Sequence, residues 1–192
     1  MNLIIFGPPG AGKGTQSKFV VERYKLYQLS TGEMLRKEIN KKSELGNKIS
    51  SIINSGKLVS DHIVSDLIEK FVSNEKFKNK LIFDGYPRNL SQAKNLDILL
   101  DKYNQKIDLV LKLSVNLSTI KKRILERKNQ EKRADDNEEV VIKRYKTYEV
   151  STLPLIDYYS NSNLLKVVNG EAEISEINKE ISGLIDGIKG WH

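Results

Sequence analysis

The sequence predicts a three-layer α/β fold, a five-stranded parallel sheet flanked by helices, and three observations predict it. Five short runs at 2–6, 26–29, 81–83, 109–113 and 164–168 are rich in Leu, Ile and Val with at most one strongly polar residue each, as in strands covered on both faces. Stretches with helical spacing lie between them, and strands that alternate with helices form parallel sheets through right-handed crossovers. The length, 192 residues, fits one domain with small appendages and not two full domains.

Taken in chain order, the first run leads through a Gly-rich turn into a helical pattern after Lys13. Between the second and third runs no strong strand appears, only helical pattern broken near Gly46 and Gly56. That is too long for one crossover helix, and it predicts a small helical insert over 30–59. Ile63, Leu67, Ile68 and Phe71 then recur on one helical face, with Asp61 as a plausible N-cap. Asn89 or Ser91 caps the helix after the third strand, and Asn116 or Ser118 the helix carrying Ile120, Ile124 and Leu125. Residues 128–139, KNQEKRADDNEE, hold no large apolar side chain and read as a solvated loop. Ile174, Ile177, Ile181, Leu184 and Ile185 mark the last helix, before a tail ending in Trp191 and His192.

Composition excludes several classes. At 39% apolar and 30% charged residues the chain is too apolar for disorder, and no run approaches the roughly 20 residues needed to cross a bilayer. The N-terminal apolar run is too short for a signal peptide, so a cytoplasmic location without membrane contact is expected. Cysteine is absent, which excludes disulfides, thiolate zinc sites and a cysteine nucleophile. The net charge of +7 invites a nucleic-acid reading, but the aromatic residues are not interleaved with a basic stripe, and no nucleic-acid partner is expected. Only seven of the 32 basic residues are Arg: 23, 36, 88, 123, 127, 133 and 144. A chain that uses Lys so freely for surface charge reserves Arg for a planar, bidentate grip on phosphate or carboxylate.

Residues 7–15 read G-P-P-G-A-G-K-G-T, between the first strand and a helix. Glycines let backbone N–H groups converge on an anion, the helix N-terminus adds its dipole, and Lys13 supplies a mobile cation to the outer phosphates. This is a phosphate-binding P-loop, and it points to the P-loop NTPase fold. Gly14 stands where Ser or Thr usually meets Mg²⁺, and Thr15 comes one residue later, so the metal is expected to be held through waters, with Asp84 as the acidic partner.

The form of this loop resembles that of the nucleoside monophosphate kinase family, its adenylate kinase branch in particular. The resemblance extends through LSTGEMLR at 29–36, GKLVSD at 56–61, FDGYPR at 83–88 with Gln92, RILER at 123–127, RADD at 133–136, Arg144, PLIDYY at 154–159 and the Asn-Gly turn at 169–170. It implies a core of 1–29, 60–126 and 137–192, a monophosphate-binding insert at 30–59 and a lid at 127–136. Only five residues separate Arg127 from Arg133, which resembles the short-lid form, without the zinc of some long-lid relatives. Six of the seven arginines, all but Arg23, fall on family motif positions.

The resemblance implies transfer of the terminal phosphoryl group of Mg-ATP to AMP, giving two ADP, by a monomer. Lys13, Arg88, Arg127, Arg133 and Arg144 would be catalytic. ATP would be held by Gly10, Ala11, Gly12, Lys13, Gly14, Thr15, Arg123, Arg127, Gly170 and Ala172. AMP would be held by Thr31, Arg36, Lys57, Leu58, Val59, Gly85, Arg88, Gln92, Arg133 and Arg144, with Gln92 at the adenine edge and Thr31 beside it. Asp135 and Asp136 would hinge and hydrogen-bond the closing lid. Glu33 stands where family members commonly have Asp. Asn89 leans towards the uridylate–cytidylate kinases, which leaves a UMP/CMP kinase of the same fold as an alternative, beside a non-catalytic nucleotide-binding protein. A GTPase is excluded by the lack of a guanine-reading N-K-x-D after a strand.

Overall fold

The computed structural model describes residues 1–131 and 135–188. Strands β1 (Leu3–Phe6), β2 (Tyr27–Ser30), β3 (Leu81–Asp84), β4 (Leu109–Ser114) and β5 (Leu165–Asn169) form one sheet in the order β2-β3-β1-β4-β5, every pair parallel. Leu3 pairs with Ile82 on one side and Leu109 on the other, so β1 is the central strand. Because side chains alternate across a strand, Ile4, Phe6, Phe83 and Val110 enter one core, and Leu3, Ile5, Ile82 and Leu111 the other. Both faces are covered over β1, β3 and most of β4, which is why those runs are mainly apolar without alternation, while the edge strands β2 and β5 are partly exposed. The first run reaches one residue too far: Asn2 lies before β1, fully buried, with its amide bonded to Gln105 Oε1 (3.2 Å), the Lys106 carbonyl (3.1 Å) and the Leu81 N–H (3.1 Å).

Helix α1 (Lys13–Tyr24) follows β1, and α9 (Ile174–Asp186) packs against it. The stretch between β2 and α4 (Asp61–Val72) is two helices, α2 (Thr31–Asn40) and α3 (Glu44–Asn54). The break between them lies at 41–43, where Lys42 takes φ 53°, and not at Gly46. Gly46 is inside α3 because α2 crosses there: a Cβ would come 2.1 Å from the Glu38 carbonyl oxygen. Gly56 does end a helix. At φ 73° it donates to the Ile53 carbonyl (2.9 Å) while Lys57 N–H reaches that of Ile52 (3.1 Å), closing the last turn of α3.

Asp61 is not the cap of α4. Ser60 occupies that position, and Asp61 is the first helical residue, its carboxylate turned to other work. Asn89 caps α5 (Leu90–Lys102), accepting from Gln92 N–H at 2.8 Å. Asn116 accepts from Thr119 N–H (2.9 Å) at the start of α6 (Leu117–Glu131). The charged stretch is less of a loop than expected: α6 continues to Glu131, and α7 (Glu138–Thr147) begins at Glu138. Lys, Gln and Glu are good helix formers, so a charged face extends the helix. A π-helical turn at Tyr148–Thr152 joins α7 to α8 (Pro154–Ser160). Arg133 and the Trp191–His192 tail lie outside the described residues. Among the described residues, no helix is long and apolar enough to cross a membrane.

Candidate active site

The loop after β1 is built by backbone conformations that glycine supplies: Gly10 and Gly12 have φ of 80° and 92°. At Gly10 a Cβ would also stand 2.9 Å from Ile124 Cγ1 of α6. Gly12 is the residue before α1, so the free N–H groups of the helix start at the loop. Lys13 folds back across it, Nζ donating to the carbonyls of Gly7 (2.8 Å) and Pro8 (3.0 Å). Burial, with the charges of Arg88, Arg144 and Arg127, pushes the Lys13 ammonium down to about 8 against the opposing pull of Asp84. Arg123 Nη1 lies 3.5 Å from the Ala11 carbonyl, which puts α6 over the loop. Gly170 sits just past β5, donating to the Ser114 carbonyl (2.9 Å); a Cβ on it would stand 2.5 Å from Val115 Cγ2. Ala172 is half-buried against the core under β5, and neither it nor Gly170 lines the cavities described next.

Thr31, Arg36, Lys57, Leu58, Val59, Gly85, Arg88, Gln92 and Arg144 line one cavity, together with Asp135. A second cavity, lined by Lys13, Gly85, Arg88 and Arg144, adjoins it. Gly85 (φ 77°) makes the turn after β3 so tight that its carbonyl accepts from both Thr31 Oγ1 (2.8 Å) and Arg88 Nε (2.7 Å). Burial lowers the Arg88 guanidinium from its ordinary value, with Asp84 opposing, but the starting value is so high that the charge is kept. Asp84, nearly buried, accepts from Gln28 Nε2 at 2.9 Å.

Arg127 grips Asp136 with two hydrogen bonds, Nε–Oδ2 at 2.7 Å and Nη2–Oδ1 at 2.5 Å. Arg144 meets Asp135 at 2.8 Å, and burial lowers its guanidinium as well, with Asp135 the largest opposing influence. Among the described residues, no three or more His, Cys, Asp or Glu stand together as a metal cluster. A lone carboxylate, Asp84, suits a magnesium ion that arrives on its nucleotide and keeps waters in its shell. Glu33 is exposed and lines neither cavity.

Four residues were missed by sequence reasoning. Gln28 orients Asp84; Thr152 Oγ1 donates to the Arg88 carbonyl (3.0 Å) from the π-helical turn; Asp61 receives Gln92 Nε2 (2.7 Å) and Asn89 Nδ2 (3.1 Å). Tyr148 lines the second cavity with a buried hydroxyl that has no partner among the described residues, and burial pushes it up to about 12. Gln28, Thr152 and Tyr148 carry no local signal for such a role, and Asp61, though it ends the GKLVSD stretch, reads there only as a helix cap, because its bonds come from an element distant in the chain. Asn89 caps α5 by accepting from Gln92 N–H and donates from Nδ2 to Asp61.

A family model described as adenylate kinase matches residues 5–164. The adenylate kinase of Phenylobacterium zucineum (strain HLK1) is 44% identical over 97% of this chain and 98% of its own. That of Pelagibacter ubique (strain HTCC1062) is 40% identical over 96% and 99%, and that of Porphyromonas gingivalis (strain ATCC BAA-308 / W83) 40% over 97% and 96%. With the P-loop, the shared arginine wall and the two adjoining cavities in place, the chain belongs to the adenylate kinase family.

Proposed function

We propose that this protein catalyses the reversible transfer of the terminal phosphoryl group of Mg-ATP to AMP, giving two ADP. The observation that carries it is that Gly85, Arg88 and Arg144 line both cavities, so two phosphate sites share one cationic wall. ATP takes the P-loop of Gly10, Ala11, Gly12, Lys13, Gly14 and Thr15, with Arg123 along its base and Gly170 and Ala172 at the far end. AMP takes the other cavity, its base between Thr31, Gln92 and the 57–59 backbone and its phosphate on Arg36 and Arg88. The AMP phosphate oxygen attacks the γ-phosphorus in line while the bond to the β–γ bridging oxygen breaks, and ADP leaves.

An AMP phosphate is already anionic, so no general base is required. The barrier lies in bringing two polyanions together without water, and positioning with charge neutralisation supplies the catalysis. Lys13, Arg88, Arg127, Arg133 and Arg144 carry that charge; a magnesium ion arriving with ATP would add its own, and Asp84 is the residue that would hold it, through water. The insert at 30–59 and the lid at 127–136 close over the pair and exclude water. Action as a monomer on the cytoplasmic nucleotide pool belongs to the same proposal, on the strength of the family the chain belongs to.

The test is phosphoryl transfer from Mg-ATP to AMP, CMP, UMP and GMP under one set of conditions. AMP is expected to be strongly preferred, with two ADP formed per turnover. Preference for CMP or UMP would overturn the acceptor, and ATP hydrolysis without transfer would overturn the kinase reading.

A further inference from the structure

The amide of Gln92 is held between two groups of opposite and unchangeable polarity. Its Oε1 accepts from the Arg88 backbone N–H at 2.7 Å, and its Nε2 donates to Asp61 Oδ1 at 2.7 Å. A backbone N–H can only donate and an ionised carboxylate can only accept. Rotating the amide by half a turn would set NH₂ against N–H and oxygen against carboxylate, so the oxygen and nitrogen positions follow from the network. Asp61 is itself held: Asn89 Nδ2 reaches Oδ1 and Oδ2 at 3.1 and 3.3 Å, while Asn89 Oδ1 accepts from Gln92 N–H at 2.8 Å. Gln92 is 3% exposed, and it lines the cavity that contains Thr31, Lys57 and Val59.

An amide has two N–H donors and two oxygen lone pairs, of which the protein uses one each. One donor and one acceptor remain, and their order is locked. We infer that Asp61 is a positioning residue that fixes the polarity of Gln92 and thereby selects an amino-bearing base over an oxo-bearing one. Adenine offers an amino donor beside a ring-nitrogen acceptor. Hypoxanthine and guanine offer the reverse, a carbonyl acceptor beside a ring N–H, and uracil likewise pairs a carbonyl with a ring N–H. An unrestrained glutamine rotates to suit either pattern; a locked one leaves polar groups opposed when the wrong base enters. Cytosine shares adenine's polarity and is separated by ring size, not by this lock.

The inference rests on the acceptor cavity assigned above, and its probe is inosine monophosphate, which has the size of AMP with an oxo group in place of the amino group. The experiment compares kcat/KM for AMP and inosine monophosphate, with Mg-ATP saturating, in the wild type, Asp61→Ala and the isosteric Asp61→Asn. Wild type is expected to prefer AMP strongly. The AMP-to-inosine ratio is expected to fall about tenfold in Asp61→Ala. In Asp61→Asn, whose side chain presents either a donor or an acceptor, it is expected to fall about threefold or more. The KM for ATP stays within twofold in both.

A purely structural role would lower both rates together and leave the ratio unchanged, and that result overturns the inference. If Asp61→Ala does not fold, the ratio in Asp61→Asn decides alone, a fall supporting and an unchanged ratio overturning. A wild type that prefers AMP while the variants keep its ratio defeats this inference only. A wild type that transfers nothing to AMP defeats the acceptor assignment beneath it.

Discussion

Asp135 Oδ2 stands 2.8 Å from Arg144 Nη1, and Arg36 Nη1 approaches the same oxygen at 3.8 Å. Arg36 belongs to α2 and Arg144 to α7, so a single carboxylate ties together two segments that both line the cavity proposed for the acceptor. Gly56 reinforces the contact, since a Cβ on it would lie 3.1 Å from Arg144 Cγ. Removing Asp135 deletes the carboxylate that the two guanidinium groups share, while Arg144 keeps Asp136 Oδ1 at 3.5 Å. An incoming phosphate recaptures both charges, so substrate binding suffers less than the alignment. In Asp135→Ala, kcat is expected to fall about tenfold, on the order of one or two hydrogen bonds to a charged group, with KM for AMP within about threefold. Initial rates at varied AMP give the split, and an unchanged kcat would mean that the tie is idle.

Gly46 tests the insert. A Cβ there would stand 2.1 Å from the Glu38 carbonyl oxygen and 2.8 Å from Ile39 Cα, and backbone cannot swing aside as a side chain can. Gly46→Ala is expected to force α2 and α3 apart at a cost of about 1–3 kcal/mol. KM for AMP should rise several-fold while KM for ATP holds, because Thr31 and Arg36 ride on α2 and the P-loop does not. Hydrogen exchange should quicken over 31–54 only. Uniform quickening would show that the insert is not a separable unit.

Gly46 also shows where sequence and structure part. As a glycine inside a helical pattern it reads as a break, because local propensity carries no information about a neighbouring helix. The strands were readable for the opposite reason: Leu3–Phe6 and Leu81–Asp84 are buried on both faces, which leaves a continuous apolar run within the segment itself. Lys13 was readable because a Gly-rich loop between strand and helix is a local, backbone-defined pattern; Arg88 and Gln92 were readable only through the family resemblance, and both line the first cavity. Asp61 and Gln28 were not, since what they do depends on a carboxamide or carboxylate arriving from another element.

Tyr159 separates packing from polarity. It is 1% exposed, its ring centroid lies 5.7 Å from that of Phe6, and its hydroxyl has no partner among the described residues. Burial raises this phenol well above its ordinary value, so it stays neutral. Tyr159→Phe keeps the ring and deletes an unsatisfied buried group, and is expected to stabilise the protein by about 1 kcal/mol. For a chain of this size that is a rise of roughly 2–4 °C in Tm by calorimetry. A fall in Tm would reveal a hydrogen-bond partner, an internal water among the candidates.

Lys13 makes the site sensitive to alkaline pH. Its ammonium is pushed down to about 8, first by burial and then by the arginines around it. The protonated form, which the phosphates require, therefore predominates below that value and is lost above it, roughly tenfold for each further pH unit. Because kcat/KM reports the free enzyme, its profile for ATP should descend from about pH 8. Bound phosphates favour the ammonium, so kcat should hold to higher pH. Lys13→Met should lose at least about a hundredfold in kcat/KM, on the scale of removing one preorganised electrostatic contact, and its residual activity should lack the descending limb. A wild-type profile flat to pH 9.5 would show that the Lys13 charge is not what ATP meets on entering the loop.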